Sequence, residues 1–194
     1  MRESQEYSVS FETADKSKQG FWKIVYEWLD SPLYAIILIL LLFTFVFRIV
    51  GVNGESMYPT LSDGDWLTIS SINKNIENGD IVVITQPNAL NEPLIKRVIA
   101  KGGDTIDIDF ETGSVTVNGK ILEEPYIAEI THRKGDFKGL IEVPKGYLFV
   151  MGDNRNNSLD SRFNTIGLID ERYVLGVAQI RLFPFNDWKI NDYE

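Results

Sequence analysis

The sequence predicts a mostly β protein: an antiparallel β-sheet domain over residues 51–194 with a small β-extension at about residues 104–142, preceded by one transmembrane helix over residues 31–50. Three observations predict it. An apolar run from Pro32 to Phe47 is interrupted only by Thr44. Beyond it, short apolar or alternating runs are separated by Gly and Asp, and Asn118-Gly119 stands between two of them, the strongest short hairpin signal in sequence terms. Finally, no stretch of residues 51–194 sustains a 3.6-residue period.

Residues 1–30 come first. Up to position 19 they are polar and charged, which predicts a disordered tail. Trp22, Tyr26 and Trp28 then sit just ahead of the apolar run, where an aromatic belt belongs at a bilayer surface. A helix from Pro32 to Val50 would span roughly 28 Å, close to the hydrocarbon thickness. Asp30 or Ser31 suits its cap, and Pro32 its first turn. The run has no polar face to turn to water, which disfavours a buried core helix. It is long, starts late and lacks a small-x-small exit, which disfavours a cleaved leader. Lys16, Lys18 and Lys23 precede the span, against Arg48 and then Lys74 after it. The positive-inside rule therefore puts the N-terminus in the cytoplasm and residues 51–194 outside.

The outer strands follow in order. "DWLTISSI" and "DIVVIT" are apolar runs bounded by Gly and Asp; "TIDIDF" and "SVTV" alternate with period two; Asn118-Gly119 leads into "KIL"; "GYLFVMGD" and "YVLGVAQIRLF" close the set. Composition removes several chemistries. The chain of 194 residues has no cysteine and a single histidine, His132, so thiol nucleophiles, disulfides and Cys- or His-rich metal sites are excluded. No metal and no cofactor are expected. A net charge of −9 repels phosphates and argues against nucleic acid as a partner.

Three stretches hold residues that could do chemistry. In "GESMYPTL" (Gly54–Leu61), Pro59 disfavours helical angles at Tyr58, so the segment is expected to be extended with Ser56 and Tyr58 on one face. A serine hydroxyl needs a base to attack a carbonyl. His132 lies in the charged stretch "EITHRKGDFKGL" and suits a solvated loop. Lys96 lies in "PLIKRVIA", among Leu94, Ile95, Val98 and Ile99. It suits a strand lysine pointing to solvent, or a base whose pKa desolvation has lowered by about 2–3 units. The polar "GDNRNNSLDSRFNTIG" suits a surface loop built on Asx-turns, although Ser158, Asp160 and Arg162 would share a face if extended, with Asp160 able to pair with Arg162.

Taken together, "GESMYPTL", "GDIVV" (Gly79–Val83), "KRVIAKGGD" (Lys96–Asp104) and "GDNRNNSLDSR" (Gly152–Arg162), in this order behind an anchor, resemble the bacterial type I signal peptidases. These are membrane-bound serine proteases that remove signal peptides from exported proteins. The resemblance covers about residues 31 to 183 and is to the short, single-span members. It implies Ser56 as nucleophile and Lys96 as general base, with Ser158 hydrogen-bonded to the lysine. It implies Asp160 and Arg162 as a supporting ion pair, and gives Asp153 and Asn154 a structural part. The oxyanion donors would be the Ser56 N–H and a group two residues earlier, where this chain has Gly54 and so no hydroxyl. Cleavage after small-x-small sites is implied, with Val52, Met57, Leu61 and Ile95 as apolar pocket walls. Preproteins and the lipid bilayer are the implied partners, and the plasma membrane the implied location. Two other readings share part of the pattern: a narrow-substrate processing peptidase of the same type, and a non-catalytic membrane-anchored β domain. A self-cleaving repressor would need a DNA-binding domain in place of the anchor.

Overall fold

The computed structural model describes residues 32–41, 47–71, 75–88, 90–185 and 188–190. The chain divides into two units, Met1–Phe45 and Val46–Glu194. In the first, residues 32–41 are helical, and Leu33, Ile36, Ile37, Leu38 and Leu41 all expose large apolar surface. Among the described residues, no helix is long and apolar enough to cross a membrane. The expected tail, aromatic belt and middle of the span (residues 1–31 and 42–46) lie outside the described residues. The end of the expected helix is corrected: Phe47–Gly51 is a strand, β1, paired with Trp66–Ser70, β2. Hydropathy alone does not separate helix from strand here. The β-branched Ile49 and Val50 favour the pleat, and β2 pairs with the backbone groups on one side of this edge strand.

The second unit is mostly β, with single 3-10 turns at Arg155–Asn157 and Glu171–Tyr173. Its remaining strands are β3 (Ile81–Ile84), β4 (Leu94–Lys101), β5 (Thr105–Asp109), β6 (Ser114–Val117), β7 (Lys120–Ile121), β8 (Ile141–Glu142), β9 (Tyr147–Met151), β10 (Ile169–Asp170) and β11 (Val174–Phe183). Of the eleven strands among the described residues, seven form one antiparallel sheet in the order β1-β2-β11-β3-β4-β9-β10, and four form a second in the order β7-β6-β5-β8. The small sheet occupies the expected β-extension. Its β6–β7 hairpin turns on Asn118 and Gly119, both at positive φ (52° and 75°), as a two-residue hairpin loop requires.

Alternation along the strands fills three apolar clusters. In β3, Ile81 and Val83 enter one cluster with Val52, Met57, Leu61, Leu67 and Ile69, while Val82 and Ile84 enter another with Leu94, Val98, Leu148 and Val150. Both faces of β3 are buried, which is why its sequence reads as an unbroken apolar run. The third cluster joins the two sheets, with Ile99, Ala100, Phe149 and Met151 meeting Ile106, Ile108, Val115, Phe137 and Val143. Phe149 packs edge-on against Phe137 at 6.0 Å between ring centroids.

Phe149 is fully buried in that joint, so Phe149→Ala is expected to cost about 3–5 kcal/mol of unfolding free energy. Ile121→Ala, on the exposed β7, should stay within about 0.5 kcal/mol. Urea unfolding of the two variants checks the difference.

Candidate active site

Ser56 sits in a turn, not the extended segment expected. Tyr58 N donates to Glu55 O at 3.1 Å and Leu61 N to Met57 O at 2.9 Å. Met57 is drawn into the core, which curls the chain and lifts Ser56 to the surface of a cleft. The carbonyls of this turn are pinned from across the fold. Asn154 N donates to Ser56 O at 3.0 Å, and Asn154 Nδ2 to Glu55 O at 3.1 Å. Gly152 allows this approach: a Cβ there would collide with Ser56 O and with the Ser158 side chain.

Lys96 reaches the serine from β4. Its Nζ lies 2.7 Å from Ser56 Oγ and donates to Ile95 O at 3.0 Å. On its strand it sits opposite Val82, between Leu94 and Val98 of the same face, and only 3% of it is exposed. The solvent-pointing alternative is thereby set aside. Burial pulls the lysine down from 10.5 to about 8, against the Asp160 and Asp153 carboxylates, which hold its proton.

Each of those carboxylates is clamped by a buried arginine. Arg97 grips Asp153 in a bidentate pair at 2.9 Å (Nε to Oδ1) and 2.7 Å (Nη2 to Oδ2). Its Nη1 donates to Gly79 O at 2.7 Å, and its guanidinium lies 4.0 Å above the Tyr126 ring. Thr60 Oγ1 donates to the same carboxylate. Arg162 grips Asp160 through Nε and Nη2, both at 2.8 Å, and its remaining donors reach Arg133 O and Arg155 O. Asp160 Oδ2 also accepts from Gly152 N at 3.1 Å. All four charged side chains are essentially fully buried. Arg155, equally buried, pairs with Glu124.

Three expectations are corrected. Ser158 is buried beside the cleft, but its Oγ has no hydrogen-bond partner among the described residues. Lys96 Nζ turns instead to Ser56 and to its own strand. The Gly54 N–H is committed to Asp63 Oδ1 at 2.8 Å, so it is not a free donor for an oxyanion. The Ser56 N–H, by contrast, has no acceptor among the described residues. Leu61 is wholly buried behind Met57 and does not line the cleft. Val52, Met57 and Ile95 do line it, together with Val50, Val83 and Leu94, in a cleft of about 590 Å³. His132 stands outside it, with Nδ1 2.9 Å from Phe110 O.

Arg97, Thr60, Tyr126 and Gly152 were not singled out in the sequence. "IKRV" did hold a signal for Arg97: two adjacent cations in an apolar strand must bury one on each face. Nothing in sequence joins Glu124 to Arg155. Among the described residues, no group of three or more His, Asp or Glu is placed to hold a metal ion. The arrangement is a hydroxyl in contact with a desolvated amine beside a free backbone N–H, which suits nucleophilic attack on a carbonyl.

Known proteins match this chain over most of its length. The family described as signal peptidase, peptidase S26, matches residues 25–183. A signal peptidase I of Bacillus amyloliquefaciens is 40% identical over 188 residues, covering 91% of this chain and 95% of that protein. Signal peptidase I T of Bacillus subtilis (strain 168) is 39% identical over 175 residues, covering 84% and 88%. The solved structure of a signal peptidase I from Enterococcus faecalis V583 is 27% identical, covers 54% of this chain and 97% of its own, and has a TM-score of 0.44.

Removing one member of a buried ion pair strands the other. Arg97→Met should cost about 3–5 kcal/mol in urea unfolding, and Arg97→Met combined with Asp153→Leu should recover part of that loss. Equal losses in the single and double variants would contradict the pairing.

Proposed function

Since the chain belongs to the signal peptidase family, peptidase S26, we propose that it is a membrane-bound serine endopeptidase that removes signal peptides from exported preproteins by a Ser56/Lys96 dyad. The observation that carries the dyad is the 2.7 Å contact between Ser56 Oγ and the buried Lys96 Nζ. With the amine neutral, that contact runs from hydroxyl to lone pair. Ser56 Oγ attacks the scissile carbonyl while Lys96 takes its proton. The tetrahedral oxyanion forms next to the Ser56 N–H. Lysine then protonates the leaving amine, an acyl-enzyme remains, and Lys96 activates the water that hydrolyses it.

The other residues serve that exchange. Asn154 fixes the nucleophile's turn by its two hydrogen bonds, and Asp160–Arg162 and Asp153–Arg97 hold the loop and β4 in place around Lys96. Val52, Met57 and Ile95 are apolar walls of the cleft beside Ser56 and Lys96, which suits an extended substrate with small apolar residues before the scissile bond, as the family's small-x-small sites supply. The apolar helix at residues 32–41 supports a single membrane anchor. The lysines ahead of it support a cytoplasmic N-terminus, with the β domain outside the plasma membrane.

The test is cleavage of a preprotein with an Ala-x-Ala site by the full chain in detergent and lipid, with the new N-terminus sequenced. Ser56→Ala and Lys96→Ala are each expected to lose at least about 10³-fold in kcat/KM, while His132→Ala keeps activity. Because Lys96 acts unprotonated and burial places it at about 8, the rate should rise with pH through about 8 and fall away below it. An acidic limb at ordinary lysine pKa, or activity surviving Lys96→Ala, would remove Lys96 as the base.

A further inference from the structure

The cleft has two kinds of wall. The chain segments that run into Ser56 and into Lys96 supply Val50, Val52, Met57, Leu90, Leu94 and Ile95, a largely apolar surface. The cleft's two carboxylates, Glu55 and Glu92, belong to these same segments. The remaining wall comes from elsewhere in the chain: Arg133 together with Asn157, Ser158 and Leu159. Lys96 titrates at about 8, so among the described lining residues Arg133 is the side chain whose positive charge is permanent.

Arg133 is held at both backbone and side chain. Its N–H donates to Asn156 Oδ1 at 2.9 Å, and its carbonyl accepts from the buried Arg162 at 2.8 Å. Its guanidinium lies 4.8 Å above the Phe163 ring, and Nη1 reaches Asn156 O at 3.4 Å. The side chain is exposed and has no carboxylate partner among the described residues, in a chain of net charge −9. A guanidinium stacked on an aromatic face keeps its edge donors free for a carboxylate. Being already ordered, it loses less entropy on binding than a free surface arginine.

On the peptidase reading above, small apolar residues precede the scissile bond and meet the apolar segments. The wall that carries Arg133 is then left for the residues that follow it. We propose that Arg133 recognises negative charge in the released polypeptide, as an Asp or Glu side chain within the first four residues after the cleavage site. Glu55 and Glu92 on the other wall polarise the cleft in the same sense. The signal peptide is thus selected by shape and the mature segment by charge.

The test uses one preprotein with a fixed Ala-x-Ala site and Asp, Asn or Lys placed singly at each of the first four mature positions, cleaved by the full chain in detergent and lipid. Wild type should prefer Asp over Lys in kcat/KM by about three- to tenfold at one or two of these positions, less at high salt. Arg133→Gln should bring that ratio to about one, and Arg133→Glu should invert it. A thermal melt identifies any variant that fails to fold, and Arg133→Gln carries the test if Arg133→Glu does. Equal Asp/Lys ratios in wild type and the folded variants, with the Asn substrates still cleaved, would overturn the arginine's role and leave the peptidase reading intact. No cleavage of the Asn substrates by wild type would overturn that reading and this assignment with it.

Discussion

As the proposed base, Lys96 has to give up its proton in a site where two carboxylates pull a proton onto it, and the buried residues around it are arranged on that constraint. Burial alone disfavours the ammonium, while Asp160 and Asp153 favour it. Both carboxylates are held in bidentate pairs by arginines that are themselves buried. The arginines offset the negative field without adding hydrogen-bond donors that would compete for Ser56 Oγ. The result is an amine at about 8, low enough to be partly neutral near physiological pH and basic enough to take a hydroxyl proton.

The sheet makes this possible by placing Lys96 and Arg97 side by side on β4. Successive residues on a strand face opposite ways, so one cation is sent to the serine and the other to Asp153 and Gly79. The loop after β9 supplies what both need. Asp153 receives Arg97, Asn154 pins the serine turn, and Asp160 returns to hold Gly152 N. The proposed base and the clamps meet because β4 pairs with β9, and the turn that carries Ser56, between β1 and β2, is tied to the loop after β9 by Asn154. A fixed framework of this kind lets the reacting pair meet without reorganisation.

Much of this was legible in the sequence, because local physics leaves a local mark. Alternation marked β5 and β6, the apolar run marked β3, and Asn118-Gly119 marked the hairpin. Ser56 and Lys96 were legible through the family resemblance, and the desolvating neighbours of Lys96 were visible beside it. Other features depend on long-range partners and left no local mark. β1 looked like the end of a helix because hydropathy does not distinguish a lipid-facing residue from one on an edge strand. The turn at Ser56 is imposed by Asn154 and by the burial of Met57, neither of which Pro59 announces. Gly54 stands at the second oxyanion position without a hydroxyl, and nothing in the sequence shows that its N–H goes to Asp63, nine residues on.

The most direct measurement is the titration of Lys96 itself, followed by the pH dependence of its side-chain Nζ and Cε resonances in lysine-labelled full-length protein, with Lys96→Ala to assign the signal. A midpoint near 8, well below the other lysines, is the predicted result. A midpoint at the ordinary lysine value of about 10.4 would mean that Lys96 stays charged through the working pH range, and the account of a neutral buried base would be wrong.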